Sequence, residues 1–224
     1  MKNISFYCIF LSAAFISGCQ KEPVARVTQP GEPAPAILMS GQLPHFDETN
    51  STLTTWDQLP QKMRSAEKMN PAAKPDEGTS RSYSYYKYYI GPWGGGGGNA
   101  YSIYPYGSGD RIYAIAFKTG NTVDAVSFWY ARPDGSLYLE QAGGTGGSYY
   151  IQYLAADEYI TAIHGRSGIY LDHLGFITNR KVFDYGGTGG TFFLAGCASS
   201  DQILGIFGGA GIYLDRAGAY AYSR

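Results

Sequence analysis

Three windows of nineteen residues, 112–130, 160–178 and 203–221, align with one another without a gap. Each has Ile at its first and fourth positions, Gly at the ninth and Asp at the thirteenth, and Val123, Leu171 or Leu214 stands just before the Asp. A second element recurs in step: Gly-Gly-X-Gly-Gly runs at 94–98, 143–147 and 186–190, each 17 or 18 residues ahead of its window. Self-similarity at a fixed period marks one supersecondary unit used several times. Three such pairs in phase restrict the chain to architectures with threefold internal symmetry.

The units are β in character. Ile-x-x-Ile runs, β-branched and aromatic residues and glycine punctuation predict short strands and tight turns, and no stretch has a convincing helical period. A unit of roughly 45 residues holds about four short strands. One such sheet cannot bury both faces, so three are expected to pack inward around a common axis. The segments before the glycine runs also correspond: 88–90, 138–140 and 181–183. The third unit has no strand after its Asp-bearing hairpin, so 85–90 is the matching strand and closes the third sheet. This gives an all-β domain over 81–224 that depends on its first strand.

The preceding stretch differs in texture. Eight of the 11 Pro residues lie between 20 and 80, while 27 of the 31 Gly lie after Arg81. Residues 19–80 read as a flexible tether, with a short helix within 55–69 that tolerates Pro60 in its first turn. At the start, Lys2 precedes an apolar run over 4–16, too short for a permanent membrane span. Ile16-Ser17-Gly18-Cys19 resembles a bacterial lipobox. The resemblance implies a signal peptide over 1–18, acylation of Cys19 with palmitate-type chains, and stable anchoring. Gln20 in place of Asp favours an outer membrane. With Cys8 in the leader and Cys19 lipidated, Cys197 remains as a small buried thiol without a disulfide partner.

A net charge of −1 gives no basic footprint for nucleic acid. Twenty-one Tyr residues leave aromatic faces for a ligand or partner. The chemistry-bearing motif is Gly-x-x-x-Asp, at 120–124, 168–172 and 211–215. Glycine permits a tight turn of positive φ, the next residues present backbone N–H groups, and the Asp adds two acceptor oxygens. Donors and a carboxylate in one short loop suit vicinal hydroxyls, which both donate and accept. The same residues also serve as plain hairpin turns, so a non-catalytic protein-interaction or structural module remains a second reading.

The Gly91-Pro92-Trp93-Gly94-Gly95 segment, the glycine runs, the Gly-x-x-x-Asp loops and the Tyr170–Phe176 hairpin together resemble the jacalin-related lectins over about 85–224. The resemblance implies a β-prism of three Greek-key sheets and a carbohydrate-binding function. It also implies that the Asp carboxylate takes the 4- and 6-hydroxyls of a sugar, with loop N–H groups and the last Gly of a glycine run completing the pocket. One site would use Gly120, Asn121, Thr122 and Asp124 with Gly147. A second would use Gly168, Ile169, Tyr170 and Asp172 with Gly190. A third would use Gly211, Ile212, Tyr213 and Asp215 with Gly98. An intact strand before the glycine run favours mannose- or glucose-type glycans over galactose. Arg166 and Arg216 flank the second and third sites and are expected to admit acidic or substituted sugars.

No catalytic constellation accompanies these loops. His45, His164 and His173 lie in no metal-ligand spacing, no nucleophile motif is present, and symmetry holds the three aspartates apart rather than paired. A single Asp per loop makes a thin cage for calcium. No enzyme activity, metal or cofactor is expected, and self-association is left open.

Overall fold

In the computed structural model, which describes residues 52–68 and 86–224, the three repeats become three four-stranded antiparallel sheets. The N-terminal segment supplies β1 (Thr52–Leu53), a 3-10 turn (Trp56–Gln58), a one-turn helix α1 (Gln61–Arg64) and β2 (Glu67–Lys68). Next come β3 (Tyr88–Gly94) and β4 (Asn99–Ile103). The first repeat forms β5 (Arg111–Thr119), β6 (Val123–Ala131), β7 (Leu137–Gly143) and β8 (Ser148–Tyr153). The second forms β9 (Ile160–Ser167), β10 (Leu171–Thr178), β11 (Val182–Gly186) and β12 (Thr191–Gly196), and the third β13 (Asp201–Ala210) and β14 (Leu214–Ser223).

The sheets run β8-β5-β6-β7, β12-β9-β10-β11 and β4-β13-β14-β3, the last two continuous through the single pair Ile203↔Ile160 between β13 and β9. β3 closes the third sheet against β14, the part expected of 85–90, although the strand reaches on into the glycine run. Covering that sheet's edge with the first strand of the prism leaves fewer unpaired backbone groups. The all-β prism expected from the repeat is the architecture observed.

Side chains of period two point to opposite faces of a strand, so Ile at the first and fourth positions of each window ought to face apart. All six nevertheless lie in one core: Ile112, Ile115, Ile160, Ile163, Ile203 and Ile206. A β-bulge at the second position resolves the parity. Tyr113 is skipped between the pairs Ile112↔Tyr130 and Ala114↔Trp129, Thr161 between Ile160↔Thr178 and Ala162↔Ile177, and Leu204 between Ile203↔Ala221 and Gly205↔Tyr220. One extra residue shifts the side-chain phase and turns both isoleucines inward.

The tether expectation needs correction for part of its length. Residues 52–68 pack on the outer face of the first sheet, where β1 pairs antiparallel with β8 and β2 parallel with β7. Leu59 and Met63 are buried against Ala114, Ala116, Trp129 and Leu139 in a second apolar cluster. The Trp129 indole N–H donates to the Met63 carbonyl (3.1 Å). The expected helix is a single turn entered from Pro60, preceded by a 3-10 turn in which Gln58 Oε1 accepts from the Thr55 N–H at 2.9 Å. Two apolar side chains in a polar stretch carry little periodic signal, which is why composition alone reads the stretch as unstructured. The signal segment 1–18 and Cys19 lie outside the described residues. Cys197 is buried, and burial pushes its thiol up to about 11, so its inert structural role stands.

Candidate functional site

All three Gly-x-x-x-Asp loops join the first two strands of a hairpin, and each Asp is itself a bulged residue. Asp124 is skipped between Lys118↔Ala125 and Thr119↔Val123, Asp172 between Arg166↔His173 and Ser167↔Leu171, and Asp215 between Gly209↔Arg216 and Ala210↔Leu214. The bulge re-aims the Asp side chain. Val123, Leu171 and Leu214, one residue earlier, are fully buried and plug this end of the core. Each loop closes on itself through Gly120 N–H to Thr122 O (3.0 Å), Gly168 N–H to Tyr170 O (2.9 Å) and Gly211 N–H to Tyr213 O (2.8 Å).

The re-aimed carboxylates meet the glycine runs. The second glycines of the runs, Gly144, Gly187 and Gly95, donate their N–H to the carbonyls of Asp124 (2.8 Å), Asp172 (2.8 Å) and Asp215 (2.9 Å). The last Gly of each run has left-handed backbone, with φ of +76° at Gly147, +68° at Gly190 and +71° at Gly98. A Cβ there would lie 2.8 Å from Asp124 Oδ2 at Gly147, 2.5 Å from Asp172 Oδ2 at Gly190, and closer still to Asp215 Oδ2 at Gly98. Both conformation and space therefore require glycine at these three positions. The structure thus brings together all three residue sets named from the sequence: Gly120, Asn121, Thr122 and Asp124 with Gly147; Gly168, Ile169, Tyr170 and Asp172 with Gly190; and Gly211, Ile212, Tyr213 and Asp215 with Gly98.

The three sets also lean on one another, which the sequence did not reveal. A Cβ on Gly187 would strike the Asn121 carbonyl, one on Gly144 the Ile212 carbonyl, and one on Gly95 the Ile169 carbonyl. The second glycine of each run is thus the floor for the loop of another site, and the loops form a ring at one end of the prism. Tyr170 and Tyr213 meet edge to face across this ring at 5.4 Å. Ile169 and Ile212 stand out from it, 79% and 74% exposed.

Electrostatics differ among the sites. Burial raises the Asp124 carboxyl, with Lys118 pulling the other way. At the second site the Arg166 guanidinium donates to the carbonyls of Gly189 and Gly190, both at 2.9 Å. At the third, Arg216 Nη1 donates to Gly97 O (2.7 Å) and Gly95 O (3.3 Å). These two arginines brace the glycine runs. Beneath the second site, His173 Nδ1 faces Gly187 O (3.1 Å) and its Nε2 faces Asp184 (3.3 Å). Two acceptors on the two ring nitrogens favour the imidazolium, and Asp184 outweighs burial to raise His173. Its neighbour His164 is driven down to about 4 by burial.

An Asp carboxylate set against the left-handed last glycine of a run, repeated three times at one end of the prism, is suited to polyhydroxylated ligands. A sequence model of the jacalin-like lectin domain matches residues 90–220, and the chain belongs to that family. Its members and structural neighbours are non-catalytic carbohydrate-binding proteins. The jacalin-related lectin Calsepa of Calystegia sepium is 36% identical over 101 residues, spanning 41% of this chain and 65% of Calsepa. Horcolin of Hordeum vulgare is 36% identical over 81 residues, spanning 35% of this chain and 54% of horcolin. The chain therefore spans between about half and two thirds of the curated relatives it matches. Among solved structures, Calsepa lectin in complex with a biantennary N-glycan superposes with a TM-score of 0.55 at 32% identity, covering 61% of this chain and 96% of that one. Malaysian banana lectin gives 0.54 at 29%, covering 61% and 98%. A mannose-binding jacalin-related lectin from Ananas comosus gives 0.54 at 28%, covering 61% and 97%.

Proposed function

We propose that this chain is a lectin for mannose- or glucose-type glycans, with one binding site at each of Asp124, Asp172 and Asp215, displayed from a membrane by a lipid on Cys19. The observation that carries the reading is the threefold recurrence of a bulged Asp beside a left-handed glycine. Each carboxylate accepts from two sugar hydroxyls while loop N–H groups donate to the same oxygens. Single-site affinity of this kind is weak, and three sites per head with many heads per membrane raise avidity without new contacts. Relatives whose names specify mannose support the sugar class.

A glycan array probed with the full chain beside the Asp124→Ala/Asp172→Ala/Asp215→Ala variant tests it. Binding to mannose- or glucose-bearing glycans that methyl α-mannoside competes away, and that the variant loses, is expected. A blank array from folded protein would contradict it. The anchor is tested separately by mass analysis of the N-terminal peptide and fractionation of envelope membranes. Diacylglyceryl and acyl mass on Cys19 with outer-membrane recovery is expected, and an unmodified Cys19 would contradict it.

One observation favours a second reading. The outward Ile169 and Ile212 give the site end an apolar rim, which also fits a protein partner. Binding to a surface that persists in saturating methyl α-mannoside would support that reading.

A further inference from the structure

The three sites are not equally open. The alignment of the repeats places Lys118, Arg166 and Gly209 at one position, and Ala125, His173 and Arg216 at another. At the second and third sites these positions carry the side chains that lie across the glycine-run carbonyls. At the first site Ala125 is a methyl group, and a groove of about 880 Å³ opens there. Ala125, Lys118, Ser127 and Gln141 line it from the first sheet, with Gly144, Thr145 and Gly147 of the glycine run and Ser148 and Tyr149 at the start of β8. Its far wall is the N-terminal segment: Thr54, Thr55, Trp56, Gln58 and Lys68. Gly147 belongs to both the groove and the Asp124 site.

We infer that this groove is a subsite that takes the further sugar residues of an oligosaccharide seated at Asp124, with Trp56 as the stacking platform. The inference rests on the lectin reading above and extends it to one site. The volume falls within the roughly 300–1,000 Å³ that holds a ligand larger than one hexose. Trp56 leans on Trp129 at 6.0 Å and has the Lys68 ammonium 5.6 Å over its ring, yet remains 37% exposed. A rigid indole face matches the C–H face of a pyranose and loses little entropy on contact. Ser127, Gln141, Thr54 and the Lys68 and Lys118 ammoniums supply hydroxyl partners around it. The wall lies outside 90–220, the residues matched by the family, so the subsite is a property of this chain's own N-terminal segment. The first site thereby selects longer glycans, while the second and third take a terminal sugar.

The test uses the full chain carrying Asp172→Ala/Asp215→Ala, which isolates the first site, titrated with methyl α-mannoside and with α-linked mannotriose. The trisaccharide is expected to bind about tenfold more tightly than the monosaccharide. Adding Trp56→Ala brings it down to the monosaccharide's affinity. Adding Ala125→Arg, which sets the third site's side chain at the groove mouth and leaves Trp56 in place, does the same. Equal affinities before either change would overturn the subsite while leaving the lectin reading intact. Failure of the unmodified chain to bind either sugar would overturn both.

Discussion

The first sheet and the second sheet start from the same repeat and end with different surroundings. Around Asp172, Arg166 and His173 grip the glycine run, and Asp184 holds His173 from below. Around Asp124 the same two positions hold Lys118 and Ala125, and the outer face of the sheet is covered from outside the repeat by Leu59 and Met63. The hairpin, the bulge and the left-handed glycine are common to both. Geometry of the site is therefore fixed by the repeat, whereas its access and bracing are set by side chains that the repeat leaves free. One fold end in this way carries three loops with the same backbone geometry and different side-chain surroundings.

The largest effect is expected from stripping the first sheet's cover. Met63 is fully buried, and Met63→Ala should cost about 2–5 kcal/mol, read as a lower denaturant midpoint. Sugar binding should weaken at Asp124 and persist at Asp172 and Asp215. Equal loss at all three would mean that the segment supports the whole prism rather than one sheet.

Gly190→Ala should come next. It forces a left-handed backbone on a residue with a Cβ, about 1–2 kcal/mol, and the new methyl meets Asp172 Oδ2. Loss of the second site alone, seen as one fewer sugar per chain in a titration, is the expected result. Retention of that site would refute the close packing of run and carboxylate.

A smaller change is expected for Arg166→Ala. The guanidinium's two hydrogen bonds are exposed, so they contribute about 1 kcal/mol or less. Affinity at the second site should drop by no more than about fivefold, while the first site is untouched.

The smallest difference concerns pH. Burial holds Asp124 above the ordinary carboxylate range, and only the ionised form accepts from two hydroxyls. Sugar binding in the chain bearing Asp172→Ala/Asp215→Ala should be complete near neutrality and fall as the pH drops, starting above the usual carboxylate titration. His164 adds a stability effect in the second sheet. Its folded value of about 4 lies below the ordinary 6.5, so its contribution is present above pH 6.5 and is lost on acidification toward 4. That loss is partly offset by the raised His173.

Much of this was legible in the sequence because symmetry was written into it. Glycine and aspartate at fixed positions gave the loops, and the strand missing after the third hairpin pointed to 85–90. Three features were hidden for physical reasons. The bulges follow from strand pairing, and only the odd spacing of Ile112 and Ile115 hinted at them. The ring that seats Gly187 on Asn121, Gly144 on Ile212 and Gly95 on Ile169 exists only once three sheets converge. The docking of 52–68 rests on Leu59 and Met63, two apolar residues among polar ones, too few for a periodic signal. Arg166 and Arg216 were visible as flanking charges, but their carbonyl partners were not.

The central claim is that Asp124, Asp172 and Asp215 each hold one sugar, and counting sites tests it most directly. Calorimetric titration of the full chain with methyl α-mannoside should give three sites per chain, falling to two, one and none as Asp→Ala changes accumulate while the fold is retained. A triple variant that still binds the sugar with the original stoichiometry would contradict the account.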